Sequence, residues 1–350
     1  MTAAPQTPAP DAGAGPDVRR LAVAGLGRAG IAHAMAIVQH DGCAFAGAFE
    51  PRAELRRFAR GAGFSQPLEG TLTKLRERSP FDALVVCAPL DSRAGVAADA
   101  LAAGHDVLVD GLPARSLTAA APLVALPADV RARLRCATPS LFHPLLRRGA
   151  AVIASGVLGT PATVRASVFV SRVFAHGAPP QGDDVLDFAV GDLLVLLDHV
   201  LGPVVRVSAT AQRLYGERVD EAHATLTHAN GVVTGLDASW SVPGYPRAAV
   251  VIEVEGDRGT LIASDDAIEV DLAEADGGMD AGVTRVLPAD LPDTLPFDSG
   301  EGARALHAFV SSLHGGAASE LAGDRAMRAL GVLDAMRRAF ASGATEECAS

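Results

Sequence analysis

Apolar residues along the first 140 positions come in short continuous runs separated by charged, helix-like stretches. Leu21–Ala24 is a four-residue apolar run. Gly25-Leu26-Gly27-Arg28-Ala29-Gly30 follows as a glycine turn, and Ile31–Gln39 then reads as a helix. Cys43–Phe49 reads as a second strand ending at Glu50, and Ala53–Arg60 and Thr71–Arg78 as helices. Asp82–Ala88 (DALVVCA) is apolar without alternation, the pattern of a strand buried on both faces. Ser92–Ala103 is an alanine-rich helix closed by Gly104, and Asp106–Val109 a further buried strand. Leu117–Leu126 reads as helical and Leu134–Ala137 as a sixth strand. Strand and helix alternating in this way predict a doubly wound, parallel sheet.

The period then changes. Leu145–Ala154 reads as a helix, Ala162–Val173 as a long alternating strand, and Val185–Leu201 as a helix that is apolar nearly all round. Long alternating segments run from Val204 to about Val270, with Asn230-Gly231 placed as a hairpin turn. Helices over Ala303–Leu313 and Ala326–Ala341 close the chain. The predicted class is α/β: a Rossmann-type domain over residues 18–138, then a domain over 139–350 with a large, mainly antiparallel open sheet. Residues 1–17, rich in Pro, Ala and Gly, read as a disordered tail.

Composition narrows the partners. The net charge of −11 disfavours phosphate backbones and anionic membranes. The longest apolar run, Leu193–Leu197, is too short to span a bilayer. Arg19-Arg20 before an apolar run resembles an export signal, but it opens a strand and no small-residue cleavage site follows. The four cysteines are scattered without metal spacing, which suits a reducing cytoplasm, and three of them sit in strand-like apolar runs as core-like thiols. His176 near Asp183-Asp184 has no ligand spacing either, so no metal site is predicted.

The glycine turn is a G-x-G-x-x-G pattern between a strand and a helix, with an acid at the end of the next strand. Gly25 permits the turn, Gly27 lets a pyrophosphate approach the backbone, and Gly30 lets the helix pack on the strand. The phosphates would sit on the helix N-terminus, beside Arg28 and Ala29. Glu50 would accept the adenosine ribose hydroxyls and so favour NAD over NADP. Arg52 argues the other way, because an arginine can pair a 2′-phosphate.

These residues, in order, resemble the glucose–fructose oxidoreductase / inositol dehydrogenase / MocA family. The carrying motifs are Gly25–His33 (GLGRAGIAH), Glu50-Pro51, Asp82–Pro89 (DALVVCAP), Gly104–Val109 (GHDVLV), Gly156–Val164 (GVLGTPATV) and Glu255–Leu261 (EGDRGTL). The resemblance implies NAD(P)-dependent oxidation or reduction of a small molecule and oligomerisation through the C-terminal sheet. It adds Ala88, Pro89 and Asp110 to the dinucleotide contacts.

The family's catalytic residues are missing. In Val109-Asp110-Gly111-Leu112-Pro113, Asp110 takes the acid's place and Gly111 the lysine's. Arg93 stands where a histidine is usual. Counting from Asp187 puts Gly191 at the family's acid/base histidine. Counting back from Gly202 puts Asp192 there. Hydride transfer to or from a carbon that bears oxygen or nitrogen needs a partner that gives or takes the proton of that heteroatom. The candidates are Asp192, expected among apolar neighbours that would raise its pKa, Asp187, and His143. Each also has a structural reading: a satisfied aspartate, a first-turn acid and a turn histidine. The leading expectation is a reductase or dehydrogenase with a non-standard acid/base group, acting on a small carbonyl, imine or sugar-like molecule. A redox-neutral enzyme with tightly held NAD, or a catalytically silent subunit of the same fold, fits the same losses.

Overall fold

The computed structural model describes residues 18–171, 184–215, 217–291, 300–317 and 319–349. The N-terminal tail, His176, Asp183 and the end of the strand expected over 162–173 lie outside them. The chain divides into two compact units that are not contiguous in sequence. One comprises residues 1–114, 120–136 and 302–321, the other 115–119, 137–301 and 322–350. A C-terminal helix is thus part of the first unit.

The first unit holds β1 (Arg19–Ala24), α1 (Arg28–Gln39), β2 (Cys43–Phe49), α2 (Ala53–Gly61), β3 (Leu68–Glu69), α3 (Leu72–Arg78), β4 (Ala83–Val86), α4 (Leu90–Ala102) and β5 (Asp106–Asp110). The short helices α5 (Ala121–Val124) and α6 (Ala128–Arg131) lead to β6 (Leu134–Ala137). The sheet order is β3-β2-β1-β4-β5-β6, with β1 parallel to β2 and β4, and β4 parallel to β5. This is the doubly wound order, whose ligand crevice lies at the carboxyl ends of β1 and β4. Leu21–Ala24 and Ala83–Val86 are wholly buried, as their unbroken apolar runs require. The helix expected over 117–126 is cut down to α5. Pro122 has no N–H to donate and can sit only in a first turn, so a helix cannot run through it.

The second unit begins with α7 (Pro139–Phe142) and α8 (Pro144–Ser155), then β7 (Pro161–Phe169). The expected helix 185–201 opens as a wide π-type turn, Leu186–Val190, and continues as α9 (Gly191–Leu201). Then come β8 (Val204–Gln212), β9 (Glu221–His228), β10 (Val233–Ser239), β11 (Ala249–Gly256), β12 (Gly259–Ser264), β13 (Ile268–Leu272) and β14 (Gly282–Val286). The helix α10 (Glu301–Leu313) is the one that joins the first unit. The last elements are α11 (Gly323–Ser342) and β15 (Glu346–Glu347).

These strands form one nine-stranded sheet, β14-β13-β12-β11-β7-β10-β9-β8-β15, in which only β7 and β10 pair in parallel. Burial alternates along β9 and β13, so one face is core and the other open. Asn230-Gly231 makes the predicted hairpin: Gly231 takes a positive φ, and the Asn230 side chain accepts the Val232 N–H at 3.1 Å.

Candidate functional site

The glycine turn has the shape the sequence implies. Gly25 adopts φ +95°, and a Cβ there would lie 2.7 Å from the Cys87 carbonyl oxygen. A Cβ on Gly30 would lie 1.8 Å from the Gly25 carbonyl oxygen, so no side chain fits where α1 meets β1. Gly27 is different: nothing stands within 4 Å of the Cβ position. Gly27 caps α1 without any side-chain hydrogen bond, and the first turn, Arg28-Ala29-Gly30, contains no acid. The first N–H groups of a helix have no partner inside it. Here they sit behind an open approach at the carboxyl end of the sheet, which is the environment a phosphate requires.

Glu50 does more than the sequence suggested. It is 1% exposed, and its Oε2 accepts the Leu26 N–H at 2.8 Å. Oε1 accepts the backbone N–H and the Nε–H of Arg52, each at 3.0 Å. Burial pushes the carboxyl up, but the Arg52 and Leu26 hydrogen bonds outweigh it and hold Glu50 below the ordinary range. The expected ribose acceptor is therefore covered by Arg52, half of whose side chain is in solvent. Arg56 fixes the same corner by donating to the Glu50 carbonyl.

At the ends of β4 and β5, Ala88, Pro89 and Asp110 lie near Arg93. Arg93 donates to the Ala88 and Leu112 carbonyls at 2.8 and 3.1 Å. Gly111, at φ +87°, leaves room for that guanidinium, since a Cβ there would lie 3.1 Å from an Arg93 nitrogen. Asp110 faces His33 of α1 at 3.4 Å. Burial raises the Asp110 carboxyl, yet His33 and Arg93 hold it below its ordinary value. Cys87 completes this corner: ligating atoms of His33, Cys87 and Asp110 lie within 4.8 Å of one another. Sequence reading missed this set because its members come from three elements and share no local spacing.

In the second unit the three acid/base candidates stand apart in character. Asp192, in the first turn of α9, accepts the Ser140 N–H at 3.3 Å on each oxygen and the Ser140 hydroxyl on Oδ2. Its surroundings are thus not purely apolar, as α7 brings it two donors. Asp187 is almost wholly buried between two arginines: Arg115 reaches Oδ2 at 2.6 Å and Arg337 reaches Oδ1 at 2.7 Å. Burial and the neighbouring Asp184 push its carboxyl up in spite of both arginines. Asp184, not Asp187, caps the helix, accepting the Asp187 N–H at 2.9 Å. His143 is the N-cap residue of α8 and holds an extended backbone there.

Comparison with known proteins bears on the second unit directly. Residues 146–262 match the GFO/IDH/MocA C-terminal domain. This chain carries a GFO/IDH/MocA C-terminal domain. The family resemblance read from the sequence is borne out. Similar solved structures span nearly the whole chain. An oxidoreductase domain protein from Kribbella flavida shares 21% identity at a TM-score of 0.83, over 95% of this chain and 100% of that one. An Agrobacterium radiobacter oxidoreductase, solved with NAD+, L-tartaric acid and magnesium, shares 18% at 0.81, over 94% and 98%. The WlbA dehydrogenase from Bordetella pertussis, solved with NADH and UDP-GlcNAcA, shares 20% at 0.80, over 96% and 99%. At these identities the likeness is one of fold. No curated protein sequence matches the chain. Among the described residues no helix is long and apolar enough to cross a membrane.

Proposed function

We propose that this chain is a nicotinamide-dependent oxidoreductase that prefers NAD(H) to NADP(H) and acts on a small carbonyl, imine or sugar-like molecule. The observation that carries the reading is the open Gly27 at an uncapped helix N-terminus, held between two glycines that tolerate no side chain. The residues fit a dinucleotide. The backbone of Gly27, Arg28, Ala29 and Gly30 would take the pyrophosphate. Glu50 and Arg52 would border the adenosine ribose, and Ala88, Pro89 and Asp110 line the adjoining strand ends. The bound cofactor would supply or accept the hydride. The Agrobacterium and Bordetella proteins, solved with NAD+ and NADH, support the cofactor class.

For the proton, Asp192 is the group we assign, because Ser140 aims it from a neighbouring helix and it keeps partial exposure. Asp187, clamped by two arginines, is placed to fix the π-type turn, and His143 to start α8. Assembly through the open face of the nine-stranded sheet fits a row that crosses it. Arg165, Glu253 and Ile262 stand in register across β7, β11 and β12, with Ile262 45% exposed and Arg165 paired to Glu253 at 3.5 Å and Glu255 at 3.0 Å.

The test is calorimetric titration of NADH and NADPH into the full chain, repeated with Asp192→Asn. Micromolar NADH binding, about −8 kcal/mol, with weaker NADPH, is the expected result. Tighter NADPH would overturn the Glu50 reading in favour of Arg52. No binding of either would leave a silent member of the fold.

A further inference from the structure

The carboxyl ends of β4 and β5 carry a side-chain set of which the dinucleotide reading uses only Asp110. His33 projects from the second turn of α1, Cys87 follows β4, and Asp110 ends β5. Since β1, β4 and β5 are neighbours, the parallel sheet brings these ends side by side. One imidazole nitrogen, one sulfur and one carboxylate oxygen lie within 4.8 Å of one another.

His33 is 3% exposed, and its Nε2 stands 3.4 Å from Asp110 Oδ1. A charge-assisted hydrogen bond is shorter, about 2.7–2.9 Å. The same 3.4 Å is the edge of a tetrahedron whose centre lies about 2.1 Å from both atoms, the distance of zinc from nitrogen and oxygen ligands. The buried Nδ1 has no hydrogen-bond partner among the described residues, so Asp110 is the one polar side chain set against the ring there.

We propose that His33, Cys87 and Asp110 form a binding site for a thiophilic divalent cation of the Zn2+ class. A sulfur, a nitrogen and one carboxylate select against Mg2+ and Ca2+, which take oxygen ligands. Three protein ligands leave a fourth position for water or a small exogenous ligand, as in open zinc sites. Binding exchanges the Cys87 proton for the cation, and the proton leaves to solvent. Thiolate and carboxylate then balance the charge of the ion, which matters because Arg93 acts on both. The cation would cross-link α1, β4 and β5 directly beneath the glycine turn, since Cys87 backs both Gly25 and Gly30. The site belongs to the first unit's own side chains and stands whether or not the oxidoreductase reading does.

The experiment is a Co2+ titration of the reduced, metal-free full chain, read by the thiolate-to-cobalt charge-transfer band, with Zn2+ added afterwards. Saturation at one Co2+ per chain, loss of the band on adding Zn2+, and at least tenfold weaker binding in Asp110→Asn are expected. Cys87→Ser should abolish the band, and separate replacement of Cys43, Cys136 and Cys348 should leave it. Each variant is also melted in a chelator, and His33→Gln stands in should Cys87→Ser fail to fold. No band in the wild type, or an unchanged band in a folded Cys87→Ser or His33→Gln protein, overturns the site.

Discussion

Glu50 Oε2 accepts the Leu26 N–H at 2.8 Å, so the acid at the end of β2 holds the glycine turn at the end of β1. The residue expected to read the cofactor ribose thus first shapes the loop on which the phosphates would rest. Arg52 covers the same carboxylate, so cofactor choice at this corner becomes a competition for one acid.

Glu50→Gln should therefore loosen the turn. A buried hydrogen bond to a charged group contributes about 1.5–3 kcal/mol, and a loss in this range is expected at neutral pH. The pH dependence has a definite sign. The folded Glu50 pKa is depressed, so its contribution is complete above the unfolded carboxyl range, about 4.3, and is lost as pH falls through the lower folded value. Urea unfolding at a series of pH values should show this loss in the wild type and a flatter profile in the variant.

Gly30 and Gly27 separate folding from binding. Gly30→Ala places a methyl group against the Gly25 carbonyl and should cost about 1–3 kcal/mol or more as overpacking. Gly27→Ala meets nothing, and its backbone is ordinary for any residue. Its melting temperature should stay close to wild type while NADH affinity falls at least tenfold, because the methyl group occupies the phosphate approach. Equal NADH binding by Gly27→Ala and wild type would remove the turn from the cofactor site.

The parts of this arrangement that were legible in the sequence are those that local rules determine. The unbroken apolar run Ala83–Val86, the alternation of β9 and the Asn230-Gly231 turn each carry their own cause, burial on two faces, burial on one, and a positive φ. The boundary errors also have local causes: Pro122 stops a helix that apolar spacing alone favours. Long-range pairings were not legible. Nothing in the sequence near Asp187 announces Arg115 and Arg337, and nothing near Cys87 announces His33 and Asp110. Gly111 reads as a missing lysine, but only the fold shows that Arg93 stands beside it.

The Asp187 clamp should be structural before it is anything else. Its side chain is 5% exposed, and both oxygens are held by arginines that are themselves largely covered. Removing one partner from a buried ion pair typically costs about 3–5 kcal/mol. Asp187→Ala should approach that range in urea unfolding, because Arg115 and Arg337 then face each other without a shared acceptor. Arg337→Ala should cost less, since Arg115 stays on Oδ2. A change below 1 kcal/mol, small against about 3–5 for a buried pair, in Asp187→Ala would mean that the clamp is not formed in solution.

Asp192 can be tested apart from stability. If it moves the proton in hydride transfer, Asp192→Asn should bind NADH as the wild type does and lose about 10²–10⁴-fold in turnover, the usual contribution of a general acid or base. Ser140 supplies both its backbone and its hydroxyl to this carboxylate. It touches only Asp192 in this scheme, so Ser140→Ala should lower kcat about fivefold, near 1 kcal/mol for one lost hydrogen bond, with NADH affinity unchanged. A double variant should then be no slower than Asp192→Asn alone, because Ser140 acts through the aspartate. If the two losses multiply instead, Ser140 contacts the substrate itself. Full turnover in Asp192→Asn would return the aspartate to a purely structural place at the start of α9.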